Sequence, residues 1–311
     1  MNEMRDAFVK SLLELAKEDK RIFLLTADIG TFTFDIFRQT FPNRFINFGI
    51  AEQNMMGAAA GLALSGKIPF VYTIAPFVTM RCFEQIRVDV CYHNLNVKIV
   101  GVGTGLAYGS LGPTHQTVED IAITRALPNM TVISPADPLE AKKVTRAAVL
   151  YSGPVYIRLG RSGEPVVYES DYEYQIGRAV SLREGKEATL IATGVMVYNT
   201  LKAAEILSKE EGIEVRVINM HTLKPLDQEV IEKASKQTRG IITVEEHSLI
   251  GGLGSAVGEI VSEKKNKIFF RRIGLNDAFC SSYGNYEELK EMYGLSVSAL
   301  VNAVKNILNE R

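Results

Sequence analysis

Nowhere in the 311 residues is there a run of about 18 consecutive apolar residues, so no segment reads as a membrane-spanning helix. The opening Met1-Asn2-Glu3-Met4-Arg5-Asp6 lacks the charged-then-apolar pattern of an export signal. Cysteine is scarce. Cys82, Cys91 and Cys280 are odd in number and show no close metal-ligand spacing, which speaks against a disulfide framework and for buried thiols in a reducing, cytoplasmic setting. A surplus of charge is missing too: the net charge is −1, which argues against nucleic acid or a membrane surface as the main partner. Basic residues form no large cluster, and Glu263–Lys267 is a short charge run expected to be a solvated loop. Several catalytic motifs are absent as well. There is no GxxxxGK[ST] phosphate loop, no HExxH zinc site and no serine on a Gly-x-Ser-x-Gly elbow. Gly101-Val102-Gly103-Thr104-Gly105 has the wrong glycine spacing for a dinucleotide fingerprint and leads into a loop, not a helix.

What is present is an ordinary globular composition, 46% hydrophobic and 23% charged, long enough for about two domains with full cores. Helix-like and strand-like segments alternate. Helical spacing is found over Arg5–Asp19, Glu52–Leu64, Met80–Tyr92, Val118–Ala126 and Pro138–Leu150. Short apolar runs between them predict strands at Ile22–Thr26, Pro69–Thr73, Val97–Val102, Thr131–Ser134 and Val155–Arg158. Continuous apolar strands with helical crossovers imply a parallel sheet covered on both faces. Ser162–Gln175 is polar and irregular. The pattern then restarts, with strands at Ala188–Ala192, Ile213–Asn219, Gly240–Val244 and Lys267–Ile273. Helices are expected at Val197–Glu211, Asp227–Gln237, Gly252–Lys264 and Ser296–Leu308. The reading is an α/β protein of two doubly wound domains, residues 1–165 and 181–311, joined by a linker at 166–180.

Three clusters could carry chemistry. Phe48-Gly49-Ile50-Ala51-Glu52-Gln53-Asn54 puts a glutamate at the start of an Ala-rich helix, where it could equally serve only to complement the helix dipole. Tyr72–Arg87 holds Phe77, Arg81 and Phe83, aromatics that taken singly are more often core than ligand contacts. Gly109–Asp120 holds Gly112-Pro113-Thr114-His115-Gln116, a histidine in a loop beyond a strand's carboxyl end, where open α/β sheets bind ligands, although taken alone a loop histidine satisfied by its neighbours is the simpler reading. In the second half Glu245, Glu246 and His247 precede Gly251-Gly252. Support of a loop and a helix start is the simpler reading there, with assembly as the role of the domain.

In this order, the clusters resemble the transketolases. Phe48–Met55 is similar to their cofactor-glutamate motif, Tyr72–Asp89 to the pyrimidine-site segment they share with deoxyxylulose-phosphate synthases, and Gly112–Gln116 to their Gly-Pro-Thr-His-Gln. Leu127-Pro128-Asn129-Met130, Pro135-Ala136-Asp137, Thr222-Leu223-Lys224-Pro225-Leu226-Asp227 and Val244–Gly254 extend the resemblance over nearly the whole chain. It implies a pyrimidine-binding domain followed by a smaller transketolase C-terminal domain, thiamine diphosphate as cofactor, and transfer of a two-carbon ketol unit from a ketose, or ketose phosphate, to an aldose. It gives Glu52 the role of the carboxyl that shares a proton with the aminopyrimidine and so promotes loss of the thiazolium proton. Burial in an apolar site favours such proton sharing. Phe77 falls where an aromatic stacks on the pyrimidine, Ile74 where a second phenylalanine is frequent, and Asp28 near the cofactor. His115 matches the histidine that hydrogen-bonds the substrate oxygen. Arg5 and Arg161 match the arginines that hold the substrate phosphate, a role suited to the planar guanidinium fork.

Two positions depart from the family. Leu111 stands where an acidic residue contacts a donor hydroxyl, and Gly103 where another histidine is found, so the resemblance implies a donor other than an ordinary ketose phosphate. The Gly-Asp-Gly segment and downstream Asn that hold Mg²⁺ and the diphosphate are also missing from these residues. That implies a split enzyme in which a separate N-terminal-type subunit carries the metal ligands, with an α2β2 assembly, and Gly57 and Gly61 suit a close interface helix or, equally, a helix buried within the chain. Alternatives within the architecture are a 2-oxo acid dehydrogenase E1 β-subunit and half of a deoxyxylulose-phosphate synthase. Outside it stands a non-catalytic module that keeps the fold.

Overall fold

A computed structural model describes residues 3–30, 32–161, 163–264 and 268–309. The first half supplies strands β1 (Ile22–Thr26), β2 (Phe45–Asn47), β3 (Ile68–Ile74), β4 (Lys98–Val102), β5 (Thr131–Ile133) and β6 (Val155–Leu159). The second half supplies β7 (Val180–Arg183), β8 (Thr189–Ala192), β9 (Arg216–Asn219), β10 (Thr222–Lys224), β11 (Gly240–Ser248) and β12 (Phe269–Leu275). They form a seven-stranded sheet in the order β10-β5-β6-β4-β3-β1-β2 and a five-stranded sheet in the order β12-β11-β8-β9-β7. Each sheet is parallel apart from one antiparallel edge strand, β10 in the first and β7 in the second.

The apolar runs of the first sheet explain its two covers. Successive side chains of a strand point to opposite faces. Leu24, Phe70, Tyr72 and Val100 pack on one side with the helix Met4–Glu18 and the helix Pro138–Leu150. Leu25, Val71 and Ile99 pack on the other with the helix Glu52–Leu64 and the segment Ile86–Tyr92. This second core is continuous with Ile191, Ile218 and Ile241 of the five-stranded sheet. The opposite face of that sheet packs against the helices Met196–Glu211 and Val297–Asn309.

The structure departs from the sequence reading in local detail. The segment expected as one helix over Met80–Tyr92 is divided into a short helix at Phe83–Gln85 and a π-helical run, Ile86–Tyr92, preceded by another short helix at Ala75–Thr79. The last strand begins at Phe269, and Lys267 lies outside the described residues, as does part of the Glu263–Lys267 charge run. The 166–180 segment holds no helix or strand before β7, but it is tied down. The Val167 and Tyr168 amides donate to Asp137 Oδ2, both at 2.9 Å, and the Tyr172 hydroxyl donates to buried Glu140 at 2.5 Å. Ser162, within the irregular stretch, lies outside the described residues.

Least expected is β10, which leaves the second half of the chain and pairs with β5, Thr222 opposite Ile133 and Lys224 opposite Val132. Lys224 Nζ donates to the carbonyls of Arg125 and Leu127, at 3.0 and 2.6 Å, and fastens the strand there. A buried polar network joins the halves a second time. Asp120 Oδ2 accepts from Arg158 Nε at 2.9 Å and from the Tyr156 hydroxyl at 2.7 Å, while Arg158 Nη2 donates to the Glu246 carbonyl at 2.9 Å.

Candidate active site

In a parallel sheet the carboxyl ends of all strands open on one edge, and the loops that leave them converge there. Glu52 follows β2, Ile74 ends β3, Phe77 follows it, the Gly103–Gln116 loop follows β4, and Arg161 follows β6. Arg5 reaches the same edge from the N-terminal turn of the first helix, whose Met4 amide donates to Glu164 Oε2 at 3.1 Å. The topology thus gathers residues that lie far apart in sequence.

Glu52 is 3% exposed at the first position of its helix. Its Oε1 accepts from Arg81 Nη1 at 2.9 Å, and the Arg81 guanidinium lies over the Phe77 ring, 4.2 Å from its centroid. Phe77 also meets His115, with ring centroids 5.3 Å apart at 67°. His115 in turn meets Tyr108, centroids 5.6 Å apart, and Tyr108 carries the Arg161 guanidinium 4.6 Å above its ring. A line of contacts therefore runs Glu52, Arg81, Phe77, His115, Tyr108, Arg161. Arg5 joins at the Tyr108 end: the charges of Arg161 and Arg5 both pull the Tyr108 phenol down, although burial outweighs them and leaves it raised. In this chain Arg5 is held by Glu3 at 2.9 Å and lies 3.6 Å from Asp6.

Thr114 Oγ1 sits 2.9 Å from His115 Nδ1, which fixes one side of the half-buried imidazole, and no hydrogen bond to Nε2 is found among the described residues. Ile74, half-buried, stands at the turn from β3 into the Phe77 helix and forms an aliphatic wall there. Asp28 stands apart from the line of contacts. It is exposed, left-handed at φ 53°, and hydrogen-bonded through its amide to Asn47 Oδ1 at 2.9 Å. With Gly30, Phe34 and Asn47 it lines a separate hollow of about 230 Å³. Leu111 is half exposed on the loop that carries His115.

Sequence reasoning did not reach Arg81 as the partner of Glu52, nor Tyr108 as the contact between His115 and Arg161. The first left a trace, since Arg81 lies four positions after Phe77 in the same Tyr72–Arg87 cluster. The second left none beyond a lone aromatic in a glycine-rich loop. The second half's acid-histidine trio supports structure. Glu245 accepts from the Leu253 and Gly254 amides at 2.6 and 2.7 Å and so caps the following helix. His247 Nε2 accepts from the Ala122 amide at 3.3 Å, with Nδ1 2.8 Å from the Ser248 carbonyl. Burial pushes Glu245 and Glu246 up to about 7 and His247 down to about 4.

The geometry fits a planar, nitrogen-bearing ring between Glu52 and Phe77. The Arg81 guanidinium is itself a flat N–H donor that stacks on Phe77 and bonds Glu52 at once. Among the described residues no three His, Cys, Asp or Glu side chains come together to hold a metal ion, and no residue of this chain is assigned to magnesium. All three cysteines are free and buried. No described helix is long and apolar enough to cross a membrane.

The two-domain α/β fold is that of the transketolase class, and comparison with known proteins agrees. Residues 1–165 match the family model of the transketolase pyrimidine binding domain, and residues 177–300 that of the transketolase C-terminal domain. The chain belongs to the transketolase family. It is 44% identical over 293 residues to an apulose-4-phosphate transketolase subunit of Phocaeicola vulgatus, covering 94% of this chain and 93% of that protein. It is 39% identical over 309 residues to the 6-deoxy-6-sulfo-D-fructose transketolase subunit SqwH of Clostridium sp., covering 99% and 95%. A solved structure described as a split gene transketolase, inactive beta4 tetramer, matches with a TM-score of 0.92 at 44% identity over 99% of both chains. Within the family the chain thus has the two domains and the extent of these separately encoded transketolase subunits.

Proposed function

We propose that this chain is the β-type subunit of a two-subunit transketolase that moves a two-carbon ketol unit from a ketose to an aldose with thiamine diphosphate. The observation that carries the reading is the unbroken contact from buried Glu52 through Arg81 and Phe77 to His115 on the carboxyl edge of the parallel sheet. Bound thiamine diphosphate supplies a nucleophilic carbon and an electron sink for cleaving the ketose carbon–carbon bond. Glu52 shares a proton with a ring nitrogen of the aminopyrimidine, in a position where 3% exposure excludes bulk water. Phe77 offers its ring face and Ile74 an aliphatic side. His115 donates from Nε2 to the substrate oxygen on which charge develops. Arg161 and Arg5 hold the substrate's anionic end.

A separate subunit with Gly-Asp-Gly and a downstream Asn completes the site with the magnesium ligands, in an α2β2 assembly. The naming of the relatives as transketolase subunits and the split-gene structure support a partner. Gly57 and Gly61, whose Cβ positions meet nothing within 4 Å, leave one side of the Glu52 helix open for close approach. The free buried thiols accord with a cytoplasmic location. Asp28 contributes to cofactor binding only if the partner closes the hollow beside it.

The test is Glu52→Gln in the assembled complex. Two-carbon transfer falls by about 10²- to 10⁴-fold while circular dichroism is unchanged. Near-normal turnover removes Glu52 from the chemistry. Oxidation of a 2-oxo acid with a lipoyl acceptor, in place of ketol transfer, reassigns the chain to the dehydrogenases.

A further inference from the structure

Position 103 carries no side chain, and the room is filled from elsewhere. Gly103 is left-handed at φ 71°, and a Cβ built on it lies 2.0 Å from Tyr108 Cε2 and 2.8 Å from Cζ. The Tyr108 ring therefore occupies the volume a residue at 103 needs, and only glycine tolerates it. That ring is 8% exposed, yet no hydrogen bond to its hydroxyl is found among the described residues. The hydroxyl is not among the fully buried polar atoms, so it keeps access to the cleft and is free to meet a ligand there. Around it stand the Arg161 guanidinium 4.6 Å above the ring, the His115 ring, and the charge of Arg5.

The geometry points to Tyr108 as a specificity-determining residue whose hydroxyl donates to a tetrahedral oxyanion, a phosphate monoester or a sulfonate, held between Arg161 and Arg5 at the far end of the substrate. Among the described residues no partner uses this hydroxyl, and the ring alone fills the space over Gly103. Three carboxylates temper the site. Arg5 is engaged by Glu3 and Asp6, and Glu164, 7% exposed, acts on Arg5 from the neighbouring turn. An arriving dianion competes with them for Arg5, so the site favours the more highly charged ligand. The inference rests on the reading of this edge as a sugar-binding one, but every group it needs lies on this chain.

The full chain is titrated with ethyl phosphate, followed by ³¹P line width, and with ethanesulfonate, followed by competition. Tyr108→Phe keeps the ring and removes only the hydroxyl. It is expected to weaken the preferred anion about tenfold, the scale of one hydrogen bond to a charged group, with an unchanged thermal melt. Gly103→Ala, which drives the ring out of place, is expected to weaken it comparably. In the assembled complex Tyr108→Phe raises KM for a phosphorylated or sulfonated ketose about tenfold, changes kcat less than twofold and leaves thiamine diphosphate affinity as it is. The stronger of the two probes names the anion. Wild-type affinity in Tyr108→Phe, or no binding of either probe by the wild-type chain, overturns the inference. Loss of thiamine diphosphate binding by the wild-type complex overturns the functional reading instead, and the anion titration still decides the role of Tyr108.

Discussion

Replacing Arg81 by methionine strips the partner from a carboxylate that has almost no water around it. The Glu52 end of the pair is 3% exposed and the Arg81 end 42%, at 2.9 Å. Breaking a fully buried pair costs about 3–5 kcal/mol because the remaining charge is stranded. A fully exposed pair contributes about 0.2–1 kcal/mol. With one end buried and one open to solvent, the expected destabilisation of Arg81→Met is about 1–2 kcal/mol, and the guanidinium over Phe77 adds about 0.5–1 kcal/mol at such a site. The assay is urea unfolding of the full chain in a double-mutant cycle. Arg81→Met is measured alone and in the Glu52→Gln background, with Phe77→Leu as a third arm to separate the ring contact. In the Glu52→Gln background most of the cost disappears, because no charge is left to strand. A coupling energy below about 0.3 kcal/mol would refute the reasoning, since it would mean that Glu52 is indifferent to its partner. The same cycle bears on function. A ring that stacks on Phe77 and bonds Glu52 takes both contacts from Arg81, so Arg81→Met in the complex is expected to bind thiamine diphosphate more tightly, by isothermal titration.

Other expectations are as direct. His115→Ala in the assembled complex lowers kcat by about 10²-fold, as removal of a donor aimed at developing charge does elsewhere; a loss under threefold would place the histidine outside the chemistry. Arg158→Met leaves Asp120 charged and unpaired in the interior and costs about 3–5 kcal/mol in chemical denaturation, much of it recovered by adding Asp120→Asn; a cost below 1 kcal/mol would show the network to be dispensable. His247, held near 4 by burial, stays neutral in the folded chain while the unfolded chain takes up a proton below about 6.5. Stability from this group is therefore complete above pH 6.5 and is lost as pH falls toward 4. Glu245 and Glu246, raised to about 7, act oppositely and reduce stability as pH rises from about 4.5 to 7. The difference between wild type and His247→Gln isolates the first effect: the wild type's melting temperature should drop more on acidification, and equal drops would contradict the assignment.

Much of this was legible in the sequence because the central strands are apolar on both faces. Runs such as Val97–Val102 and Val155–Arg158 lie within about a residue of the observed β4 and β6. What escaped was short or lay at an edge. β2 and β10 have three residues each, too few for any periodicity to register. β7 is a half-exposed edge strand with a mixed pattern. The helix Tyr286–Met292 was missed even though Asn285 and Glu288 form a capping box, a readable signature overlooked amid polar neighbours. In the candidate site, motif order singled out Glu52, Phe77 and His115, which the structure places in one line of contacts, since each sits in a recognisable local run. The contacts of Arg81 and Tyr108 depend on side chains crossing between loops, which no local pattern encodes. Asp28 sat at the end of a strand, as expected, but the structure gives it Asn47 and a hollow of its own.

The loan of β10 to the first sheet makes the two halves of this chain inseparable cassettes. A recombination that exchanges everything after residue 165 for an unrelated tail leaves Thr131–Ile133 paired only with β6 and bares its other edge, ready to stick to another molecule. Such a chimera should precipitate unless a peptide spanning His221–Lys224 is given back to it. Inheritance can therefore reshuffle what surrounds this pair of domains more readily than what lies between them.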